Sequence, residues 1–330
     1  MEKNSETAPS GIFSEQHGKT NPYPYPAPSP SPASDPEGRR RLAFIVNPTA
    51  GSGKCAERFE KVEAFFAKKG VPFEVFYTRA AGHAEELAAR CVRDGYETIV
   101  SVGGDGTLRE TASALAGTNA VLGVLPFGTG NDFASVLRIP ENDEAAAELL
   151  ISGEAKPTDL GMANSRLFAN VCGIGFDVDV LARTERHKKG RSGMLPYLLG
   201  IVDAILHKRR VRCRITLDGG EELVKDALLV DICNGRRFGG GMLVAPGAEP
   251  DDGLFDVCIA DYLGVFRILT LLPSFIKGRH INNRRVIYTS ASSVRVVTDE
   301  ENIVQLDGEL IESTPLECRL LPGAVRILRP

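Results

Sequence analysis

The feature that most constrains the fold is an apolar run that stops abruptly in glycines. Residues 98–102 read Thr-Ile-Val-Ser-Val and are followed at once by Gly-Gly-Asp-Gly-Thr at 103–107. A short apolar run with such a boundary predicts a buried strand, and the residues after it have helical spacing. A strand that gives way to a helix here places free backbone N–H groups at the helix N-terminus, where they attract phosphate. A tight turn without a ligand is the alternative for this segment alone.

Alternating strands and helices surround this motif. The pattern predicts strands at 42–47, 73–78, 98–102 and 121–125, with helices at 56–69, 83–94 and 108–115 between them. This alternation indicates a Rossmann-like, three-layer α/β domain with a parallel sheet. Ligands of such sheets bind beyond the carboxyl ends of the strands. Small or polar residues follow all four predicted strands, at 47–51, at Thr78, at 103–107 and at 126–132.

The pattern changes after residue 155. Many short apolar runs separated by Gly, Asn or Asp, among them 167–171 and 242–245, predict a mostly antiparallel β-sandwich. Two helices interrupt the runs, near 194–207 and 265–277. We therefore assign 39–155 to a nucleotide-binding domain and 156–314 to a second domain that binds the substrate. The sequence leaves open whether the segment 315–330 returns to the first domain. Residues 1–38 are rich in Pro, Ser and Glu and predict a disordered tail.

Charge and cysteine content narrow the function classes. The 39 Lys and Arg against 43 Asp and Glu give a net charge of −4, which disfavours nucleic acid as a partner. The seven cysteines include no Cys-x-x-Cys pair and predict free thiols in a reducing compartment. The N-terminus lacks an apolar signal sequence. The longest apolar stretch, 262–276, contains Arg267 and Pro273 and is too short to span a bilayer. We therefore expect a cytoplasmic protein.

Two familiar phosphate motifs are excluded. Residues 47–54, Asn-Pro-Thr-Ala-Gly-Ser-Gly-Lys, are similar to a phosphate-binding loop, but Pro48 and Cys55 stand where a Walker A motif needs Gly and Ser or Thr. The glycines at 104 and 106 do not continue into a dinucleotide fingerprint, because Arg109 occupies the position of the third glycine. Ordinary P-loop enzymes and dehydrogenases are therefore disfavoured.

Motifs that follow one another in a fixed order carry a resemblance to a known family. Three of them are loops, at 47–51, 103–107 and 126–132 (Pro-Phe-Gly-Thr-Gly-Asn-Asp). The other two lie in the second half of the chain and are the segment 234–255 and the turn Leu-Asp-Gly-Glu at 306–309. With them the chain resembles the diacylglycerol kinase catalytic family, which includes sphingosine and ceramide kinases, and it is similar above all to soluble bacterial lipid kinases. The resemblance implies transfer of the γ-phosphoryl of ATP, with Mg²⁺, to the hydroxyl of a lipid alcohol. Diacylglycerol is the expected acceptor, and the reaction would belong to phospholipid biosynthesis.

The resemblance also implies site residues. The nucleotide site is expected to be lined by Asn47, Pro48, Thr49, Ala50, Gly51, Thr78, Gly104, Asp105, Gly106, Thr107, Leu108, Arg109, Glu110 and Thr129. Asp105 would orient Mg²⁺-ATP, through water. Asp307 and Glu309 are expected to face the cleft between the domains, with Glu309 as proton acceptor and Asp307 assisting. The sequence leaves open which of the two takes the proton, and an Asp-Gly hairpin is the alternative for this turn alone.

A metal loop and a membrane surface complete the expectations. By the resemblance, Glu249, Asp252 and the main-chain carbonyl of Leu254 hold a structural Mg²⁺, and an unoccupied acidic turn is the alternative. Basic residues precede the apolar helix near 194–207 and favour peripheral contact with an anionic membrane, at its inner face. They are Arg183, Arg186, Lys188, Lys189 and Arg191. A core helix with solvated charges beside it explains the same pattern.

Two other functions stay open. An NAD kinase shares the Gly-Gly-Asp-Gly turn, although the segments 126–132 and 234–255 fit lipid kinases better. A non-catalytic nucleotide- or lipid-binding regulator is the other possibility, and the carboxylates of Asp105, Asp307 and Glu309 argue against it, since a pure binder needs no base. The sequence does not decide the acyl chains of the acceptor, nor whether the protein forms a homodimer.

Overall fold

The structure is a computed structural model, and it describes residues 41–187, 195–312 and 315–330. The predicted tail at 1–38 lies outside the described residues, as do Lys188, Lys189 and Arg191 of the basic cluster.

Strands and helices alternate through the first half of the chain. The elements are β1 (Leu42–Val46), α1 (Ala50–Gly53), α2 (Cys55–Lys69), β2 (Phe73–Tyr77), α3 (His83–Arg93), β3 (Thr98–Gly103), α4 (Asp105–Leu115), β4 (Val121–Pro126), α5 (Asp132–Val136) and α6 (Asp143–Ser152). The strands pair in the order β2-β1-β3-β4, all parallel. Every residue of β1, β3 and β4 is buried, as expected for strands covered on both faces. The predicted parallel α/β class is confirmed.

Helix α2 shows how the sequence builds this layer. Its buried residues, Cys55, Phe59, Val62 and Phe66, recur every three or four positions and so form one apolar stripe. The rings of Phe59 and Phe66 lie 5.2 and 5.3 Å from the ring of Phe44 in β1. Burial of this stripe against the sheet therefore stabilises the helix.

The second half is mostly antiparallel. Its elements are β5 (Glu154–Ala163), β6 (Arg166–Phe168), β7 (Val171–Gly175), α7 (Phe176–His187), α8 (Leu195–Leu206), β8 (Val211–Leu217), β9 (Leu223–Cys233), β10 (Phe255–Asp261), α9 (Val265–Ile276), a 3₁₀ turn (His280–Asn282), β11 (Val286–Ala291), β12 (Ser293–Thr298), β13 (Ile303–Leu306), β14 (Glu309–Glu312) and β15 (Leu316–Arg329). A second core lies among these strands, where the rings of Phe168 and Phe255 stack 5.6 Å apart. The predicted second domain is thus confirmed in class.

Two predicted strands of this half differ from the structure. The run 167–171 is divided between β6 and β7, because the backbone at Ala169 and Asn170 leaves the ladder and bonds to a side chain described below. The run 242–245 is not a strand. It follows a tight turn closed by a single bridge between Phe238 and Met242, since the intervening glycines at 239–241 all have positive φ.

The last strand connects the two halves. β15 pairs antiparallel with β12 and β5, and near its end Arg326 and Ile327 pair in parallel with Val121 and Leu122 of β4. The segment 315–330 therefore completes the first-half sheet. Through it eleven of the fifteen described strands form one continuous path, β14-β13-β7-β9-β8-β12-β15-β4-β3-β1-β2, and β5, β6, β10 and β11 pair off this path.

Candidate active site

Side-chain hydrogen bonds join the first two loops at the carboxyl ends of β1 and β3. Asn47, directly after β1, donates from Nδ2 to Thr107 Oγ1 at 3.2 Å. Its Oδ1 accepts from the main-chain N–H of Thr49 at 3.1 Å and from the Thr49 hydroxyl at 2.9 Å. One amide side chain thus fixes the shape of residues 47–51 and attaches them to the glycine turn.

The loops also touch through bare main chain. A Cβ on Gly128 would lie 2.3 Å from the Cα of Gly104, closer than real atoms come. A Cβ on Gly51, whose φ is +58°, would lie 2.4 Å from the carbonyl oxygen of Phe127. Only glycine allows these approaches. The contacts bring the loops after β1, β3 and β4 together, as predicted for a phosphate site at one edge of the sheet.

A variant pair tests this packing. Gly128→Ala is expected to lower the free energy of unfolding by about 1–3 kcal/mol, because the methyl group forces the two loops apart. Gly106→Ala is the matched control, since nothing lies within 4 Å of its built Cβ and alanine favours a helix. Urea unfolding followed by circular dichroism measures both. Equal stability of the two variants would show that the Gly104–Gly128 contact does not hold the loops.

Asp105 links the glycine turn to the start of α5. It is the first residue of α4, and its Oδ1 accepts from the N–H of Phe133 at 3.1 Å. Burial raises the pKa of Asp105, and hydrogen bonds from the amides of residues 131–133 oppose that rise. Asp132 lies beside it, with Oδ2 accepting from the N–H of Gly240 at 3.0 Å. Burial, with the nearby Asp105 charge, raises the pKa of Asp132 as well.

Three of the residues predicted to line the nucleotide site, Thr78, Leu108 and Glu110, are buried. Glu110 is buried, and its carboxylate accepts from the N–H groups of Gly82 at 2.8 Å and Ala84 at 3.1 Å, at the N-terminus of α3. Leu108 belongs to the first core, and Thr78 is buried after β2. None of the three is among the residues lining the cavity described below.

Asp307 is held at the turn between β13 and β14. Its φ is +49°, and glycine follows at φ +88°. The carboxylate accepts three main-chain hydrogen bonds, from Ala169 at 2.7 Å and from Asn170 and Val171 at 2.9 Å each. Burial raises the pKa of Asp307 to about 6, against the effect of these bonds and of Arg109. Asp307 therefore fixes the turn to β7 and has little capacity left for a ligand.

Glu309 is the freer of the two carboxylates. Its side chain is 44% exposed, and Oε2 lies 2.7 Å from Nη2 of Arg109, which is 12% exposed. Arg109 projects from the first turn of α4, so it joins the glycine turn to the turn of residues 306–309. The structure thus brings Asp105 and Arg109 into one region with Asp307 and Glu309, although about 200 residues of sequence separate the first two from the last two.

One cavity of about 730 Å³ lies against this region. Its polar lining includes Ser52, Asp105, Thr129, Asp132 and Asp307. The rest is apolar and comes largely from α7, α8, α9 and β9, with Val180, Leu181, Ile201, Leu228, Leu263, Ile268, Leu271, Leu272 and Phe275. The cavity thus connects the proposed phosphate loops to an apolar chamber. We did not predict Asp132 as a lining residue from the sequence, although it is the last residue of the 126–132 motif.

An ion pair and hydrogen bonds within the chain hold the predicted metal loop in place. The carboxylate of Glu249 is paired with Arg236, and Asp252 Oδ1 accepts from the N–H of Leu254 at 3.0 Å. Asp159 accepts from the N–H of Gly253 at 2.8 Å. Within 41–187, 195–312 and 315–330, no group of three or more His, Cys, Asp or Glu side chains is arranged to hold a metal ion. Only Asp252 and main-chain carbonyls, including those of residues 249 and 254, are left as ligands.

Comparisons with known proteins agree with this architecture. Residues 41–163 match the family model of the diacylglycerol kinase catalytic domain, and residues 170–329 match the YegS C-terminal NAD kinase beta sandwich-like domain. A diacylglycerol kinase of Mycobacterium tuberculosis (strain H37Rv) is 32% identical over 296 residues, 88% of this chain and 95% of the relative. The diacylglycerol kinase of Bacillus subtilis (strain 168) is 31% identical over 298 residues, 88% of this chain and 97% of the relative.

A solved structure supports the same assignment. The crystal structure of a diacylglycerol kinase from Bacillus anthracis (strain Sterne) aligns with a TM-score of 0.67 and 25% identity, over 88% of this chain and 97% of that one. Sequence and fold therefore agree over nearly the whole length of these relatives. The chain belongs to the diacylglycerol kinase family, and it is a diacylglycerol kinase-like kinase, as its motifs predicted.

Proposed function

We propose that the protein transfers the γ-phosphoryl group of ATP to the hydroxyl of a lipid alcohol, with diacylglycerol as acceptor and phosphatidic acid as product. The observation that carries this proposal is the shared cavity. The same 730 Å³ space is lined by Asp105 and Thr129 of the phosphate loops, by Asp307 of the 306–309 turn, and by apolar helices that suit acyl chains.

Glu309 is the proposed proton acceptor. As the lipid oxygen attacks the γ-phosphorus, its O–H bond breaks and the proton passes to the Glu309 carboxylate, while the bond from phosphorus to the ADP oxygen breaks. Arg109, 2.7 Å away, orients the carboxylate. Asp307 supports the turn, because its own oxygens already accept three N–H groups.

The nucleotide would lie on the loops after β1, β3 and β4. Main-chain N–H groups of Gly51 and of residues 104–107 are the proposed phosphate donors, since these loops approach one another without side chains between them. Pro48 has no N–H, and the N–H groups of Asn47, Thr49 and Ala50 already bond within the chain. Asp105 is the proposed carboxylate near Mg²⁺-ATP, where the bound Mg²⁺ would neutralise phosphate charge. A separate structural Mg²⁺ would be held by Asp252 and main-chain carbonyls of the 249–254 loop.

A transfer assay separates the proposed function from its alternatives. The purified protein is given γ-labelled ATP and Mg²⁺ with diacylglycerol in mixed micelles, and in parallel with NAD. Label is expected in the lipid and not in NAD. Label in NAD alone would assign an NAD kinase, and ATP binding without transfer to any acceptor would assign a non-catalytic regulator.

Helices α8 and α9 form the proposed membrane surface. Their cavity-facing sides are buried or half-buried, yet each also exposes an apolar stripe: Leu198, Val202 and Leu206 on α8, and Phe266, Leu269 and Ile276 on α9. Lys208, Arg209, Arg267 and Lys277 lie beside these stripes in the sequence. None of the helices in the described part of the chain is long and apolar enough to cross a membrane. An apolar stripe beside basic residues suits the surface of an anionic bilayer.

Phe266→Asp tests this surface. Phe266 is 79% exposed, so the change should not disturb the fold, while the loss of its apolar contact with lipid should weaken vesicle binding by roughly 10-fold or more. Co-sedimentation with phosphatidylglycerol-containing vesicles measures the binding. Ile151→Asp, at a side chain that is 43% exposed on α6, is the matched control and should bind as the unmodified protein does. An equal loss in both variants would contradict the assignment of the surface.

A further inference from the structure

Tyr197 provides the cavity with a hydrogen-bond donor that the chain itself does not use. It lies on α8, and its ring packs against an apolar cluster that includes Val180, Ile201 and Leu228. Tyr197 also lines the cavity. The transfer chemistry proposed above gives this residue no part.

The hydroxyl of Tyr197 lies toward the polar end of the cavity. A Cβ built on Gly239 would lie 2.0 Å from the hydroxyl oxygen, so the bare main chain at 239 makes room for it. The next residue, Gly240, donates its N–H to Asp132 Oδ2 at 3.0 Å, and Asp132 lies beside Asp105. Tyr197 therefore has its ring in the apolar chamber and its hydroxyl against the segment that contacts the phosphate loops.

The other side-chain donors in this part of the wall already donate within the chain. Outside the phosphate loops, three hydroxyl or amide side chains of the described residues line the cavity. The Asn170 amide donates to a main-chain carbonyl at 2.7 Å, and the Thr184 hydroxyl donates to another at 2.8 Å. The third, the Tyr197 hydroxyl, has no hydrogen-bond partner in the part of the chain that the structure describes.

The surroundings of Tyr197 keep its hydroxyl protonated. Burial raises the pKa of Tyr197, and the nearby charges of Asp132, Asp177 and Asp231 raise it further. At neutral pH the group therefore carries a hydrogen that it can donate. An acceptor oxygen supplied by a ligand would complete its hydrogen bonding.

We propose that the Tyr197 hydroxyl donates a hydrogen bond to an ester carbonyl of the lipid acceptor, and that it thereby selects glycerolipids with ester-linked chains over those with ether-linked chains. This inference rests on the proposed function, in which diacylglycerol is the acceptor, and it names the residue that recognises the linkage. The ester groups of diacylglycerol lie between its free hydroxyl and its acyl chains, and their carbonyl oxygens accept hydrogen bonds and cannot donate them. Tyr197 supplies the matching donor where the apolar chamber meets the polar end of the cavity.

Two lipids that differ only in this linkage test the contact by binding, without ATP. 1,2-Dihexanoylglycerol has ester carbonyls, and 1,2-dihexylglycerol has ether CH₂ groups in their place. Calorimetry below the micelle concentration gives the ratio of the two affinities for the unmodified protein and for Tyr197→Phe. Dividing the first ratio by the second cancels the difference in hydration between the lipids, which is the same for both proteins. The quotient is expected to be about 3- to 10-fold in favour of the ester, the usual effect of one hydrogen bond.

The choice of variants separates a hydrogen bond from packing. Phenylalanine retains the ring, so a change in packing alone would alter the affinity of both lipids equally and leave the quotient at one. Because the hydroxyl has no partner in the described chain, Tyr197→Phe should keep its midpoint of thermal unfolding. Tyr262→Phe is the matched control, since Tyr262 is exposed and does not line the cavity, and its quotient should be one.

Two results would overturn the inference. A quotient below about three-fold for Tyr197→Phe would mean that the hydroxyl only fills the space beside Gly239, and an equal quotient for Tyr262→Phe would mean that the effect does not come from the cavity. Because binding is measured without nucleotide, neither result depends on phosphoryl transfer. Failure of the proposed function would instead appear as lipid binding without any labelled product in the transfer assay.

Discussion

Glu309→Gln is expected to lower kcat by roughly 10²–10⁴-fold, the usual contribution of a positioned general base. Glutamine has nearly the same shape and can still receive a hydrogen bond from Arg109, but it cannot take a proton from the lipid hydroxyl. The side chain is 44% exposed, so the free energy of unfolding should change by no more than about 0.5 kcal/mol. Initial rates at saturating ATP and lipid, with urea unfolding of the same preparation, measure the two effects separately.

Glu317→Gln provides the control for this change. Glu317 lies on β15, is also exposed, and pairs with the exposed Arg295. Its removal should leave kcat within experimental error, since exposed ion pairs contribute about 0–1 kcal/mol to stability and β15 is not hydrogen-bonded to β13 or β14, which form the 306–309 turn. A Glu309→Gln enzyme with full activity would mean that Glu309 is not the base.

The second large effect is expected at Asp105, where two substitutions separate two tasks. Asp105→Asn retains an oxygen for the N–H of Phe133 but removes the charge, so transfer should decrease by roughly 10²-fold or more, while α5 keeps its start. Asp105→Ala removes both, and it should additionally lower the free energy of unfolding by about 0.5–2 kcal/mol, the usual loss for a helix cap. Transfer rates and urea unfolding measure the pair.

The pH dependence of stability provides an independent check on Asp105. Burial raises the pKa of this carboxyl in the folded protein. At pH values between the unfolded pKa of about 3.9 and the raised pKa, the protein therefore takes up a proton when it folds. Asp105 therefore contributes a loss of stability over that window, and this contribution is absent from Asp105→Asn. The stability of the variant relative to the unmodified protein should increase with pH. A near-normal transfer rate in Asp105→Asn would restrict Asp105 to its contact with α5.

Local patterns were sufficient to predict the layers and the meeting of the loops. The parallel sheet follows from apolar runs of strand length, and the phosphate loops follow from the glycines at the ends of those runs. Each of these patterns is contained within a few neighbouring residues. Contacts across the chain could not be predicted. Glu110 was expected at the nucleotide, but it bonds to the start of α3, because its partner N–H groups are brought near only by packing of α3 against α4.

The turn at 306–309 shows the same limit. Its two carboxylates were predicted as a pair, with no local signal to separate them. The structure separates them by environment: Asp307 meets three N–H groups of the β6–β7 connection, and Glu309 meets Arg109 from the glycine turn. The apolar cavity could not be predicted either. Its walls come from α7, α8, α9 and β9, and the residue pattern of a single element does not show that several elements enclose a cavity.

The path of β15 limits how this kinase can admit a lipid. One strand is hydrogen-bonded to both halves, and its ladder is interrupted only between Leu321 and Val325, where Gly323 has a φ of +57°. Pulling the halves apart as rigid bodies would break the ladder, because β5 pairs with β15 on both sides of this interruption. We therefore expect a stiff frame. Acyl chains would then enter by displacement of the helical wall formed by α8 and α9, on the side proposed to lie on the bilayer.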